Sequence, residues 1–288
     1  MKRLLITGAA GFVGGALLPA AQAWDVCATY YTRPVLPAHG RALALDLQDG
    51  AAVRALVREW RPDAVIHTAC SNRSAAHIAA IVPAARHLAT AAAECGARFV
   101  HLSTDQVFDG ENSPYQDDSP LAPLGDYAGA KATAETIVRA LCPTAVIARP
   151  ALVWGLAPLD HQTRWLVEGV RRGAPVTLFT DEYRCPVFVG DLVAALLELA
   201  ATPALRGPMN TVGGQALTRW DFGRRLLAAL QIPLGPNVVP GTVAGSGLIR
   251  ARDLRLLNQR AERELQTRLR GVDEVLRDVY SSEGPAAA

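Results

Sequence analysis

A doubly wound α/β fold, one parallel sheet with helices on both faces and a smaller C-terminal lobe, is what the 288-residue sequence predicts. Three observations predict it. Short apolar runs alternate with helical stretches of roughly 10–20 residues, the rhythm of strands joined by right-handed crossovers. A glycine-spaced loop, Gly8-Ala9-Ala10-Gly11-Phe12-Val13-Gly14, stands between the first apolar run and the first helical stretch. Half of the residues are hydrophobic and 19% are charged, which is ample for a large core.

Lys2–Thr7 is the first expected strand, short, apolar and ended by Gly8. Phe12–Ala23 follows as a helix. Its basic Met1-Lys2-Arg3 start and the Ala21-Gln22-Ala23 triplet have the look of a leader, but Gly8, Gly11, Gly14 and Gly15 interrupt the apolar run and resolve it into strand and helix. Val26–Tyr30 and Leu43–Leu45 read as strands, Ala51–Trp60 as a helix, Ala64–His67 as a strand, and Ala75–Glu94 as one long alanine-rich helix. Arg98–Ser103, Tyr127–Leu141 and Ala145–Arg149 continue as strand, helix and strand. Residues 1–150 thus form a dinucleotide-binding type of domain, and 151–280 the smaller lobe, with the chain returning to the first domain near 187–202. Helices are expected at His161–Arg172, Asp191–Ala201, Thr218–Leu230 and Asn258–Leu269. The Pro- and Gly-rich stretch Pro233–Gly247 reads as a loop, and 281–288 as a flexible tail.

Composition narrows the function. A net charge of +2 excludes a strongly basic nucleic-acid binder. The five cysteines are odd in number, widely spaced and free of any C-x-x-C pair, which points away from a disulfide scaffold and a zinc ribbon and towards a reducing cytoplasm. The histidines have no metal-ligand spacing. No segment approaches the roughly 20 apolar residues of a membrane span. Monomer and homodimer both remain open.

In the glycine loop, Gly8 permits a tight turn, Gly11 a close approach to a pyrophosphate, and Gly14 close packing of helix on strand; Phe12 and Val13 open the helix whose N–H groups face the phosphates. The spacing is G-x-x-G-x-x-G. After the second strand, Thr29-Tyr30-Tyr31-Thr32-Arg33 holds no acid to grip a ribose 2′-hydroxyl, and Arg33 favours a 2′-phosphate, hence NADP, with NADPH preferred over NAD-type cofactors. Asp46 and Leu47, just past the third strand, are placed to meet the adenine.

Tyr127 and Lys131 are spaced i, i+4 and so share a helix face. A cation beside a phenol lowers its pKa from about 10 and fits it to give a proton to a reduced carbonyl. Among 29 basic residues only Lys2 and Lys131 are lysines, which sets Lys131 apart, because Arg cannot release a proton. Ser103-Thr104-Asp105 follows a strand at the carboxyl end where such sheets bind ligands, and a hydroxyl there can bond a substrate carbonyl.

These motifs together resemble the extended short-chain dehydrogenase/reductase family, and within it the dTDP-4-dehydrorhamnose reductase group, over nearly the full chain. Leu102-Ser103-Thr104-Asp105-Gln106-Val107-Phe108-Asp109-Gly110 is similar to that group's S-T-D-Y-V-F-D-G segment. Pro114-Tyr115 and Pro120 precede Tyr127 as they do there, and Arg149-Pro150-Ala151-Leu152-Val153-Trp154-Gly155 looks like the strand ending in a substrate-side aromatic. Arg184-Cys185-Pro186-Val187 and the stretch from Arg250 to Asn258 resemble the returning segment and the basic segment that faces a sugar-nucleotide diphosphate.

The resemblance implies a Rossmann-fold NADP-dependent 4-ketoreductase of a sugar nucleotide. Tyr127 would donate the proton, Thr104 orient the carbonyl, and Lys131 bind the nicotinamide ribose. Thr68, Ala69 and Ser71 would line the cofactor, and Asp105, Gln106, Trp154, Arg184 and Arg250 the substrate. Gln106 stands where the group has Tyr, Ala251 where it has Pro, Leu257 where it has Asp, and His67-Thr68 where Asn-Ala is common, so the sugar is expected to differ. Two other readings of the same fold are a non-catalytic NADP-binding regulatory subunit, like that of methionine adenosyltransferase, and a sugar-nucleotide epimerase.

Overall fold

The computed structural model describes residues 1–69, 72 and 74–282. Strands β1 (Lys2–Thr7), β2 (Trp24–Tyr30), β3 (Arg41–Ala44), β4 (Ala64–His67), β5 (Arg98–Leu102) and β6 (Val146–Arg149) alternate with helices α1 (Phe12–Ala20), α2 (Gly50–Trp60), α3 (Ala75–Ala79), α4 (Ile81–Cys95) and α5 (Gly125–Leu141). The rest of the chain adds α6 (His161–Arg171), β7 (Val176–Phe179), β8 (Tyr183–Arg184), α7 (Val189–Ala201), β9 (Gly207–Asn210), β10 (Leu217–Thr218), α8 (Arg219–Ala229), β11 (Val238–Gly241), α9 (Val243–Ser246), α10 (Gln259–Glu264) and α11 (Val272–Ser282).

Seven strands form one sheet in the order β3-β2-β1-β4-β5-β6-β9, every neighbouring pair parallel. This is the doubly wound sheet the sequence predicts. The central strands are apolar on both sides because both faces are covered. Leu4, Ile6, Val26, Ile66 and Val100 pack against Leu17 of α1 and Leu192, Leu196 and Leu199 of α7. Leu5, Cys27, Val65, Phe99 and Ile147 face Val53 and Val57 of α2, Leu88 of α4 and Val138 of α5. Helix α7 therefore belongs to the core of the large sheet although it follows half of the lobe in sequence.

The lobe is built on two small sheets. β7 pairs in parallel with β11, and β8 pairs antiparallel with β10. Leu166, Leu178, Leu227 and Val238 make one small core, and Trp154, Phe222, Leu226, Val272 and Val275 another.

Several elements depart from expectation, each for a physical reason. The long helix is two, α3 and α4, because Pro83 has no N–H to continue the ladder across Ala80, whereas it is tolerated in the first turn of α4. The helix expected at Asn258–Leu269 stops at Glu264, since the carboxylate of Glu198 on α7 takes Gln266 N (2.6 Å) and Thr267 N (2.9 Å) and holds the chain extended. The stretch read as a loop contains β11, in which Pro240 is harmless because the strand has only one partner. Strand β9, opened by Gly207-Pro208, and helix α11 were absent from the expected elements; 283–288 of the expected tail lie outside the described residues.

One buried ion pair fixes α5 on the sheet. Arg149, at the end of β6, meets Glu135 of α5 side-on, Nε to Oε1 at 2.9 Å and Nη2 to Oε2 at 2.7 Å, with both side chains almost wholly buried. Ser103 Oγ, just past β5, donates to the same carboxylate at 2.5 Å, and Arg149 Nη1 donates to Asp117 O at 2.8 Å. Removing one partner leaves a buried charge uncompensated, which costs about 3–5 kcal/mol, whereas replacing both by apolar groups is near neutral. Glu135→Ala is expected to lower unfolding stability in urea by that amount, and Glu135→Leu combined with Arg149→Met to recover most of it.

Candidate active site

The glycine loop turns sharply at Gly8, whose φ is +77°. A Cβ there would lie 2.6 Å from the Ala69 backbone after β4, and one at Gly14 would lie 2.2 Å from Gly8 O, so both positions exclude any side chain. Gly11 caps α1 without a side-chain bond, and no acid stands in the first turn. The N–H groups of Phe12 and Val13, both part-exposed, thus stand in the first turn with the positive end of the helix dipole behind them, which suits a pyrophosphate. Arg33 is exposed and reaches back to donate to Ala10 O in this loop. Thr68 Oγ1 donates to Thr7 O at 2.8 Å and ties the end of β4 to β1 beside the loop. Asp46 is exposed and accepts from Gln48 N, while Leu47 is buried and its carbonyl meets His87 Nδ1 at 2.9 Å. Ser71 lies outside the described residues.

Past the end of β5, Thr104 caps a single 3₁₀ turn, Asp105–Val107. Across from it, α5 presents Tyr127, half-buried, and Lys131, 4% exposed, whose Nζ donates to Leu102 O at 2.9 Å. The i, i+4 spacing continues to Glu135, so the Tyr127 phenol, the Lys131 ammonium and the anchor of the buried ion pair lie along one face. Beneath Lys131, His67 and His101 sit in register on β4 and β5 with ring centroids 5.3 Å apart. Burial, and then the Lys131 charge, push His67 down to about 3 and His101 well below its ordinary value, so both rings are neutral.

The lobe brings a charged cluster to the same end of the sheet. Glu182, 1% exposed, pairs with Arg184 (3.1 Å) and Arg250 (3.2 Å) through Oε1, and the backbone N of Arg219 donates to Glu182 O. Burial pushes the Arg219 guanidinium down to about 10. Arg184 Nε reaches across to Asp105 Oδ2 at 3.4 Å and so joins lobe to sheet. Phe12 meets the lobe at Gly155, where a Cβ would lie 2.9 Å from its ring.

Of the side chains expected to meet substrate, Gln106 and Arg250 are exposed. The others need correction. Trp154, 1% exposed, is packed edge-on between Phe188 and Phe222 as part of the lobe core and is no wall of an open cleft. Asp105 and Arg184 are buried, and they face each other at 3.4 Å while Arg184 also pairs with Glu182. Glu135, Glu182, Arg219 and the two histidines were missed by sequence reasoning. Only Glu135 carried a sequence signal, one turn beyond Lys131 on the same face.

The sequence matches the family described as the RmlD substrate binding domain over residues 1–283. A dTDP-4-dehydrorhamnose reductase of Mycobacterium tuberculosis is 35% identical over 217 residues, 69% of this chain and 66% of that one. A probable dTDP-4,6-dihydroxy-2-methyloxan-3-one 4-ketoreductase of Streptomyces antibioticus is 31% identical over 84% of this chain and 81% of its own. Methionine adenosyltransferase 2 subunit beta of Xenopus laevis is 29% identical over 81% and 73%. Among solved structures, a dTDP-4-dehydrorhamnose reductase of Bacillus anthracis, in complex with NADP, shares the fold with a TM-score of 0.83 at 21% identity, over 98% of this chain and 99% of that one. With the match running from the first residue of the sheet almost to the end of the lobe, the chain belongs to the family of the RmlD substrate binding domain.

Proposed function

We propose that this protein is an NADP-dependent reductase of a nucleotide-linked 4-keto sugar. The observation that carries the reading is the convergence of Thr104, Tyr127 and Lys131 on one end of the sheet, beside a glycine loop with open N–H groups. The two relatives at 31% and 35% identity, both named as reductases of dTDP-linked sugars, support it. NADPH, when bound, supplies the reducing equivalent.

The chain's own residues do the rest. The loop N–H groups and the α1 dipole hold the pyrophosphate, and Arg33 takes the 2′-phosphate. Lys131 is held by Leu102 O with its charge close to the phenol of Tyr127, which favours loss of the phenolic proton to the substrate oxygen. Thr104 orients the carbonyl. Exposed Arg250, with Arg184 and Arg219 behind it, presents positive charge to a diphosphate. Among the described residues no helix is long and apolar enough to cross a membrane. Cys27, Cys95, Cys142 and Cys185 are free thiols, which suits a reducing compartment such as the cytoplasm. Methionine adenosyltransferase 2 subunit beta supplies the second reading, of cofactor binding without turnover. Steady NADPH consumption with a panel of 4-keto sugar nucleotides supports the reductase; cofactor binding with no consumption overturns it.

NADPH is expected to bind about 10- to 100-fold more tightly than NADH, the worth of one charge-assisted contact, and Arg33→Ala to abolish that preference in a fluorescence titration. Tyr127→Phe is expected to bind NADPH normally and to lose about 10²–10⁴ in kcat. Lys131→Arg is expected to be poor as well, since a planar guanidinium cannot replace a compact, buried ammonium; both are read by steady-state NADPH oxidation.

A further inference from the structure

We propose that Asp105 is a positioning residue for Thr104, deciding whether its hydroxyl offers the bound substrate a proton or a lone pair. The inference rests on the reductase reading above. Thr104 Oγ1 donates to Asp105 Oδ1 at 3.1 Å and accepts from Gln106 N at 3.3 Å. A hydroxyl has one proton, and here Asp105 holds it. Towards the cleft, Thr104 then has only a lone pair to offer. A keto oxygen is itself an acceptor and gains nothing from it, whereas an alcohol can donate to it.

Protonating Asp105 reverses the link. A proton from solvent settles on Oδ1, the carboxyl O–H donates to Thr104 Oγ1, and the threonine proton is released towards the keto oxygen. No covalent bond to carbon changes in this step. One proton is taken up and one hydrogen bond turns round. The reduction-competent form is thus the acid, and the oxidation-competent form the carboxylate.

The surroundings are arranged for such a balance. Asp105 is 2% exposed, and its Oδ2 has no hydrogen-bond partner. Arg184 Nε stands 3.4 Å from that oxygen, but Glu182 shares Arg184 through Nη2 and Arg250 besides. The Cys185 thiol follows Arg184 on the lobe side and is itself pushed up to about 11, chiefly by burial. On the sheet side Asp105 N donates to Pro150 O, and the charges of Lys131 and Glu135 on α5 are engaged by Leu102 O and by Arg149 with Ser103. Burial pushes the Asp105 carboxyl up, Arg184 and the Thr104 bond pull it down, Glu182 pushes it up again, and the result lies above the ordinary aspartate value. The two oxygens also have separate duties: Oδ2 faces the cation and Oδ1 faces Thr104. An asparagine fits the same frame, with its oxygen on Arg184 and its N–H₂ donating permanently to Thr104.

The test uses the full chain with NADPH and the 4-keto sugar nucleotide it turns over best. In wild type, kcat for reduction is expected to fall about tenfold per pH unit above the Asp105 ionisation. In Asp105→Asn that limb is expected to vanish, with kcat within about threefold of the wild-type low-pH plateau. Asp105→Leu is expected to lose at least tenfold in kcat at every pH with the KM for NADPH unchanged. An unaltered limb in Asp105→Asn, or wild-type kcat in Asp105→Leu, overturns the proposal. A second readout needs no turnover: the carboxyl titration of Asp105, followed by carbon-13 NMR, is expected to move up in Thr104→Val because the donated bond is lost. If no sugar nucleotide is reduced but this shift is present, the reductase reading fails and the Thr104–Asp105 link stands. If turnover is present and the titration does not move, the link fails.

Discussion

The side-on pairing of Glu135 with Arg149, closed by Ser103, is the constraint on which the site depends. It ties α5 to the end of β6 and to the residue just past β5. Apolar packing tolerates sliding, but a bidentate pair does not, because each oxygen has one nitrogen opposite it. A slip of α5 by one residue would move Tyr127 by 1.5 Å along the axis and about 100° around it. Misplacement by about 1 Å is enough to cost two orders of magnitude in rate. Since Ser103 precedes Thr104 and Glu135 lies one turn past Lys131, the same carboxylate sets both the hydroxyl and the ammonium.

Charge is rationed around this clamp. The floor under Lys131 is polar in composition yet neutral, with His67 and His101 held unprotonated by burial. The Lys131 ammonium, four residues after Tyr127 on α5, therefore has no imidazolium beneath it. On the lobe side Glu182 is shared by buried Arg184 and exposed Arg250, and Arg184 also reaches Asp105. A single end of the sheet thus carries a buried ammonium on α5 and an exposed guanidinium on the lobe.

Much of this was legible in the sequence. Alternating apolar runs placed β1, β2, β4, β5 and β6, because strands buried on both faces leave no other pattern, and the glycine spacing and the Tyr127–Lys131 register are local signals. What was illegible is non-local. β9 is a four-residue strand that reads as a Gly-Pro turn until β6 is beside it, and β11 acquires its pairing from β7 some 60 residues earlier. The aromatic character of Trp154 says nothing of whether it faces a ligand or Phe222; only packing decides. Likewise Asp105 and Arg184 look like ligand groups in isolation and prove to be each other's partners.

The position of β9 has a bearing on how the molecule assembles. β4 pairs with β1 only after α1, β2, β3 and α2, and β9 pairs with β6 only after the chain has left to form α6, β7, β8 and α7. Closing such an excursion costs little more than closing a short one, about 0.6 kcal/mol per doubling of length, but the contacts that reward it arrive late. Until they do, β6 is an edge strand with an open row of N–H and C=O groups, the kind of surface through which partly assembled chains stick to one another. The lobe therefore acts in time as well as in space: its completion covers the open edge of β6 with the short strand β9, so yield from refolding should be limited by the lobe and not by the glycine loop or the core that surrounds it.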